Sequence, residues 1–157
     1  HHQAFANRFG HTFGIGVIVE DLPELHNSVT LDNSLVDSNG IPAPKITYKL
    51  SENSKKMMAH GLTRGKEVMN AAGSSKNLAF GPVRKSGWHL MGTARMGTAS
   101  HNSVVNEWGR CHDVKNLFIV DSSIFVTSGG VNPVSTMQAV SLYIADKIKT
   151  NLTELSD

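Results

Sequence analysis

Cysteine is almost missing from this sequence, because Cys111 is the single one among 157 residues. A single cysteine excludes an intrachain disulfide and leaves the redox compartment open. A continuous apolar run long enough to cross a bilayer is missing as well, and so are low-complexity tracts. With 39% hydrophobic and 18% charged residues, the chain has the composition of an ordinary globular domain that can bury one core.

Several chemistries are excluded by what the sequence lacks. The formal charge is only +2 and no basic stripe is interleaved with aromatics, so nucleic acid is not an expected partner. The histidines show no pairing at the spacing of metal ligands on a helix, so we expect no metal site. Cys111 and His112 are neighbours that point apart in an extended segment, so they are not expected to share a proton. Gly14 and Gly16 lack the third glycine of a dinucleotide fingerprint and read as part of a strand.

Alternation of apolar and polar residues in the first third of the chain predicts strands. It runs through residues 13–19 and recurs at residues 29–31 and 46–50. Asn39-Gly40, between the last two runs, is typical of a turn. We therefore expect an antiparallel sheet with one wet face.

A helix is predicted after the third of these strands. Ser51 can cap its start, and Gly73 suits its end. The apolar face of this helix consists of Met58, Leu62 and Met69. Gly61 and Gly65 weaken the prediction, because a glycine costs about 1 kcal/mol relative to alanine inside a helix.

The last third of the chain has a different pattern. The continuous apolar run at residues 117–120 ends at Asp121 and predicts a strand that is covered on both faces. A loop rich in serine and glycine then leads to Asn132-Pro133, where a helix should begin with Asn132 as its N-cap and Pro133 at its first position. The buried stripe of that helix is Met137, Val140, Ile144 and Ile148.

Two segments carry candidate chemistry. The free N–H groups at the start of the last helix attract anions or electron-rich oxygens, and the small residues of loop 127–130 let another molecule approach the backbone. The plainer interpretation is that Asn132-Pro133 only begins a helix. His89 stands among apolar and small residues, where a neutral imidazole could accept a proton near neutral pH. The plainer interpretation of His89 is a buried histidine that is hydrogen-bonded to backbone.

Taken together, these segments resemble the C-terminal signature of the glucose–methanol–choline (GMC) oxidoreductases. Three motifs occur in order: His89-x-x-Gly92-Thr93-x-Arg95-Met96-Gly97, then Asn116-Leu117-Phe118-Ile119-Val120-Asp121-x-Ser123, then Asn132-Pro133. Upstream, residues 20–32 look like the sheet region of the same family's substrate domain. The residues of these motifs are most similar to those of bacterial sugar, gluconate or polyol dehydrogenases. One departure is Ala94, which stands where many relatives have cysteine.

The resemblance implies FAD as cofactor and oxidation of an alcohol or sugar CH–OH group to a carbonyl. His89 matches the residue that takes the hydroxyl proton while a hydride passes to N5 of the flavin, and Asn132 matches a second catalytic position that hydrogen-bonds the substrate oxygen. The cofactor-binding positions that it implies are Asp121, Ser122, Asn132, Pro133 and Val134. The implied partners are a small alcohol or sugar and an electron acceptor, a quinone or a cytochrome.

The expected fold class is α+β with an α/β part, as a fragment of a larger protein. Residues 1–88 are expected to form an antiparallel sheet and a helix of a substrate-binding domain. Residues 89–157 are expected to hold the catalytic segment and a strand–loop–helix that completes an FAD-binding, Rossmann-like domain. A lone buried strand has no partner here and the dinucleotide fingerprint is absent, so we expect an N-terminal FAD-binding region outside this chain, and a chain that is inactive by itself. The alternatives are a non-catalytic interaction module and an inactive truncated product.

Overall fold

The computed structural model describes residues 1–83 and 87–151 of the chain. Its elements, in order, are a short helix α1 (His2–Ala6), strands β1 (Ser28–Val36) and β2 (Pro42–Thr47), helix α2 (Glu52–Ala71), a 3-10 turn (Ser122–Ile124) and helix α3 (Val134–Thr150). An antiparallel hairpin with two long helices is an α+β arrangement, which confirms that part of the expected fold class. Within the described residues, every helix is too short or too polar to span a lipid bilayer.

Strands β1 and β2 pair antiparallel, with Val29 opposite Ile46. The turn between them is held by Asp37, whose Oδ1 accepts the backbone N–H of Asn39 at 2.8 Å. Gly40 takes a φ of 78° there, a left-handed conformation that glycine adopts without steric cost. The predicted antiparallel pairing and the Asn39-Gly40 turn are therefore confirmed.

The predicted contrast between a covered face and a wet face of this sheet is wrong. Every residue of β1 is exposed except Asp32, which is half-buried, and Ile46 in β2 is 74% exposed. Alternation places side chains on two faces, but a face becomes a core only where another layer packs on it.

Residues 13–19 do not form the predicted strand. A strand needs a neighbour for its N–H and C=O groups, and no described segment pairs with these residues. Instead, the side chain of Val17 lies beside Gly61 and Gly65 of α2. The segment is thus held by packing on a helix and not by a ladder.

Helix α2 begins and ends as predicted. The Oγ of Ser51 accepts the N–H of Ser54 at 3.0 Å and caps the helix, and Gly73 follows its end with a φ of 82°. The predicted apolar face is half-buried at Met58, Leu62 and Met69. Gly61 and Gly65 do not interrupt the helix; their missing side chains make the room in which residue 17 packs.

The predicted buried strand at residues 117–120 is wrong. The segment forms an isolated bridge and no ladder, and Leu117 is 46% exposed. Its backbone bonds run to a neighbouring loop, from the N–H of Cys111 to Leu117 O (2.9 Å) and from the N–H of Ile119 to Gly109 O (2.8 Å). An apolar run is covered on both faces only inside a larger sheet, and the described part of the chain supplies no strand on either side of it.

The buried core joins three distant segments of the chain. Val105, Ile124 and Ile144 are each at most 1% exposed; Ile124 belongs to the 3-10 turn and Ile144 to α3. The predicted stripe of α3 is buried or half-buried throughout, at Met137, Val140, Ile144 and Ile148. Through this core, α3 packs against the loops that carry the candidate site.

Candidate active site

His89 has a backbone conformation that residues with a side chain rarely adopt. Its φ is 61°, and among the described residues no other non-glycine residue has a positive φ. Such strain costs about 1–3 kcal/mol and persists only where the surroundings impose it, often in active sites. His89 is half-buried, and no hydrogen bond joins its imidazole to another described residue, so the interpretation as a buried, backbone-bound histidine is wrong.

A ladder of backbone hydrogen bonds joins the His89 segment to the 3-10 turn. The N–H groups of Gly92, Ala94 and Met96 donate to the carbonyls of Ser122 (3.3 Å), Ser123 (2.9 Å) and Ile124 (2.7 Å). The Oγ of Ser122 also donates to Leu90 O at 2.8 Å. Because these bonds begin directly after His89, they fix the loop that bears it. The structure therefore brings the His89 segment and the Asp121–Ser122 segment together.

Asp121 caps the 3-10 turn. Its Oδ1 accepts the backbone N–H of Ser123 at 2.7 Å. Hydrogen bonds from Ser123, first from its hydroxyl and then from its N–H, lower the pKa of the Asp121 carboxyl. The carboxylate is exposed, so it can accept hydrogen bonds from a ligand beside Ser122.

An open groove separates the His89 segment from the first third of the chain. Its walls are formed by Asp21, Pro23, Met91, Gly92, Phe125, Val126, Thr127 and Ser128. Gly92 has a φ of 85°, and a Cβ there would lie 3.2 Å from Phe125 O, so this wall requires glycine. The Oγ of Ser128 donates to Asp21 O at 3.3 Å and joins two of the segments that line the groove.

Asp21 is a site residue that the sequence analysis missed. Its Oδ1 accepts the hydroxyl of Ser54 at 2.8 Å, and its Oδ2 accepts the hydroxyl of Tyr48. Desolvation raises the pKa of Tyr48 to about 12, with the hydrogen bond and charge of Asp21 acting in the same direction, so the phenol stays a donor. The two partners lie 27 and 33 residues away, and no local pattern could have revealed them.

Asn132 does not cap helix α3, contrary to the prediction. Pro133 occupies the N-cap position without a side-chain hydrogen bond, and its carbonyl accepts the N–H of Met137 at 2.9 Å. Pro133 has a φ of −93° in the helical region; its ring needs no N–H partner, so it can stand at the boundary itself. Val134 is the first helical residue, and the exposed Asn132 side chain has no hydrogen bond to the His89 segment among the described residues.

His112 is engaged elsewhere. Its Nε2 lies 2.9 Å from Ser103 Oγ, whereas Cys111 packs against the core around Val105, which agrees with the prediction that the two do not act as a pair. Residues 1–83 and 87–151 contain no cluster of three or more His, Cys, Asp or Glu side chains that could hold a metal ion.

Known proteins are similar to this chain in sequence and in fold. The chain is 37% identical to a 2-methyl-1,2-propanediol dehydrogenase of Mycolicibacterium austroafricanum over 100% of its length, and 33% identical to the fructose dehydrogenase large subunit of Gluconobacter japonicus over 97% of its length. It spans 29% and 28% of those two proteins. These relatives are named as dehydrogenases that act on a diol and on a sugar.

The fold is similar to part of pyridoxine 4-oxidase from Mesorbium loti, with a TM-score of 0.59 and 17% identity over 79% of this chain and 27% of that one. A sequence model described as GMC oxidoreductase matches residues 23–141. That range contains the His89 motif, Asp121 and Asn132. The match extends over most of the sequence, and the chain belongs to the GMC oxidoreductase family.

Proposed function

We propose that this chain is the C-terminal part of an FAD-dependent oxidoreductase that oxidises a CH–OH group of an alcohol or sugar to a carbonyl, with His89 as proton acceptor. The family is generally FAD-dependent, and the relatives are named for a diol and for a sugar. The observation that carries the proposal is the strained backbone of His89, which the ladder to the 3-10 turn fixes. Such strain is expected where an imidazole must be placed for chemistry.

The division of the chain follows from the same proposal. Residues 1–88 belong to the substrate-binding domain, and residues 89–157 hold the catalytic segment. Residues 117–120 lie against an N-terminal FAD-binding region outside this chain, and α3 completes that Rossmann-like domain. Two features support this: the run is apolar but Leu117 is 46% exposed, and α3 packs close behind it, with the Oγ of Ser141 3.4 Å from Val120 O.

The residues present fit one side of an FAD site. The start of α3 has no capping side chain, so its first N–H groups can face a ligand that carries negative charge. A Cβ on Gly129 would meet nothing within 4 Å, so the loop before α3 lets a ligand reach the backbone. The proposed cofactor contacts are Asp121, Ser122, Asn132, Pro133 and Val134. When bound, FAD supplies the acceptor for the hydride of the substrate carbinol carbon.

His89 and Asn132 divide the work at the substrate oxygen in this proposal. A nitrogen of the neutral His89 imidazole takes the hydroxyl proton, because a hydride leaves readily only from a carbon that bears an alkoxide-like oxygen. The amide N–H of Asn132 donates a hydrogen bond to the same oxygen and holds it in place. His89 is only half-buried, so part of the residue remains accessible to a ligand.

Flavin reduction in the full-length protein tests the proposal. His89→Ala should slow reduction by the best alcohol substrate by about 10²–10⁴-fold, and the FAD content should stay unchanged. His60→Gln is the matched control, since His60 is an exposed residue of α2 far along the chain from the site. A loss smaller than about threefold in His89→Ala, measured by stopped-flow absorbance, contradicts the role of His89.

A further inference from the structure

The hydroxyl of Ser122 makes the hydrogen bond that lies nearest to His89 along the described chain. Its Oγ donates to Leu90 O at 2.8 Å, and no other hydrogen bond between described residues reaches residues 88–91. We propose that Ser122 is a positioning residue for His89, and that its hydroxyl keeps the imidazole where a substrate hydroxyl can give up its proton. The inference rests on the proposed function, because it needs His89 as the proton acceptor.

Two hydrogen bonds of Ser122 bracket Met91. The hydroxyl of Ser122 binds Leu90 O, and its carbonyl accepts the N–H of Gly92 at 3.3 Å. The hydroxyl bond is the shorter of the two and lies directly after His89. Without it, the longer bond at Gly92 is the first that holds the chain after His89, and the intervening residues are free to turn.

The turn that bears Ser122 is itself fixed before any ligand arrives. Asp121 caps it by accepting the N–H of Ser123 at 2.7 Å, and Ile124 inserts into the core with 1% of its surface exposed. The carbonyl of Ser122 also accepts the N–H of Phe125 at 3.2 Å. A hydroxyl on so firmly held a turn can impose a position on the less restrained segment that it binds.

The backbone of His89 gives this single bond its weight. Its φ of 61° is a strained conformation, and the strain is of the same order as the net gain from one hydrogen bond in a protein. Loss of the Ser122 hydroxyl should therefore let His89 relax in most molecules. Since a displacement of about 1 Å can slow a reaction about 10²-fold, a loss of about tenfold in rate is a reasonable expectation.

This role is compatible with a contact between Ser122 and the cofactor. The N–H of Ser122 has no partner among residues 1–83 and 87–151, so that contact can use the backbone while the hydroxyl binds Leu90 O. Residue 122 is also the position that the motif Asp121-x-Ser123 leaves open. The hydroxyl is thus a feature of this chain and is not required by the motif.

Flavin reduction in the full-length holoenzyme, followed by stopped-flow absorbance, tests the inference. Ser122→Ala should lower the limiting rate about tenfold, change the apparent Kd of the substrate less than about threefold, and leave the FAD content unchanged. Ser122→Thr keeps a hydroxyl and should restore the rate to within about threefold. Ser74→Ala is the matched control, because it removes another hydroxyl bond to a backbone carbonyl, that of Lys76 at 3.1 Å, and it should keep the full rate.

A double variant decides whether Ser122 acts through His89. Once the imidazole is gone, the Ser122 hydroxyl has nothing left to position, so His89→Ala with Ser122→Ala should be at most about twofold slower than His89→Ala alone. A further tenfold loss in the double variant would show that Ser122 acts independently of His89, and it would overturn the inference. A Ser122→Thr variant as slow as Ser122→Ala, or a folded Ser122→Ala variant without FAD, would overturn it as well.

Failure of this inference can be told apart from failure of the proposed function. If His89→Ala is slowed less than about threefold, the proposed function is wrong and this inference is wrong with it. If His89→Ala is slow and Ser122→Ala keeps the full rate, only this inference is overturned. If Ser122→Ala does not fold by circular dichroism, Ser122→Cys carries the test with the same expected results, because its thiol is similar in shape but is a weak donor.

Discussion

Val17 and Gly61 fit together so closely that a Cβ on residue 61 would overlap the Cγ1 methyl of Val17. A Cβ on Gly65, one turn later, would lie at an ordinary 3.8 Å from the other methyl of Val17. The two glycines lie in the same helix, yet only Gly61 is required by its neighbour. Helix propensity assigns the two glycines the same cost relative to alanine.

We therefore expect glycine-to-alanine substitutions at these two positions to change the free energy of unfolding in opposite directions. Gly65→Ala should raise the free energy of unfolding by up to about 1 kcal/mol, because alanine favours the helix. Gly61→Ala should lower it by about 1 kcal/mol, because overpacking against a β-branched side chain outweighs that gain. Thermal unfolding of the full-length protein measures both, and adding Val17→Ala to Gly61→Ala should restore stability. Equal effects at the two positions would contradict the packing described for Val17.

The strain at His89 predicts that its substitutions differ in stability. Glycine adopts a φ of 61° freely whereas alanine does not, so His89→Gly should be more stable than His89→Ala by about 1 kcal/mol. Both variants should be equally slow in flavin reduction. Comparison of the two melting temperatures is the measurement, and a His89→Gly variant that is less stable than His89→Ala would show that the ladder does not impose this conformation.

The raised pKa of Tyr48 predicts a loss of stability in alkali. The pKa is about 12 in the folded chain against an ordinary 10.0, so the unfolded chain loses this proton first as the pH rises. Below pH 10 the contribution of Tyr48 is fully present, and it declines as the pH rises from 10.0 to about 12. Phenolate absorbance should show a late-titrating tyrosine that Tyr48→Phe removes and Tyr143→Phe leaves; its persistence in Tyr48→Phe would refute the assignment.

Substitution of Asn132 should leave the stability of α3 unchanged, because Pro133 and not Asn132 occupies the N-cap of this helix. Asn132→Ala should change the free energy of unfolding by less than about 0.5 kcal/mol while slowing flavin reduction about three- to tenfold through the lost hydrogen bond. Ser51→Ala is the contrasting variant, since it removes a true cap and should cost about 1 kcal/mol. A destabilised Asn132→Ala with normal turnover would reverse this assignment.

Features that depend on a few neighbouring residues could be predicted from the sequence. The cap at Ser51 and the turn at Asn39-Gly40 are confirmed, because the partners of each lie within a few positions. The predictions of strands at residues 13–19 and 117–120 were wrong. Alternation and apolarity describe the pattern of side chains, whereas a strand also needs a neighbouring strand to pair with. The network of Asp21 was invisible for the same reason, since its partners come from β2's end and from α2.

At the candidate site, the sequence motifs named the segments but not how they meet. The pairing of the His89 segment with the 3-10 turn uses backbone atoms of residues 92–96 and 122–124. Because such atoms occur in every residue, the side-chain sequence does not reveal this pairing. The positive φ of His89 depends on that pairing and has no local signature.

That the ladder is made of main-chain atoms also bears on how this site can evolve. Thr93 lies within it with an exposed side chain, whereas Gly92 is confined by Phe125 O and Met96 packs on the core. Mutations at Thr93 can therefore accumulate without loosening the hold on His89. The segment combines a backbone geometry fixed by hydrogen bonds with a tolerant position directly after Gly92 of the groove, and this makes Thr93 a starting point for directed evolution of what the groove admits.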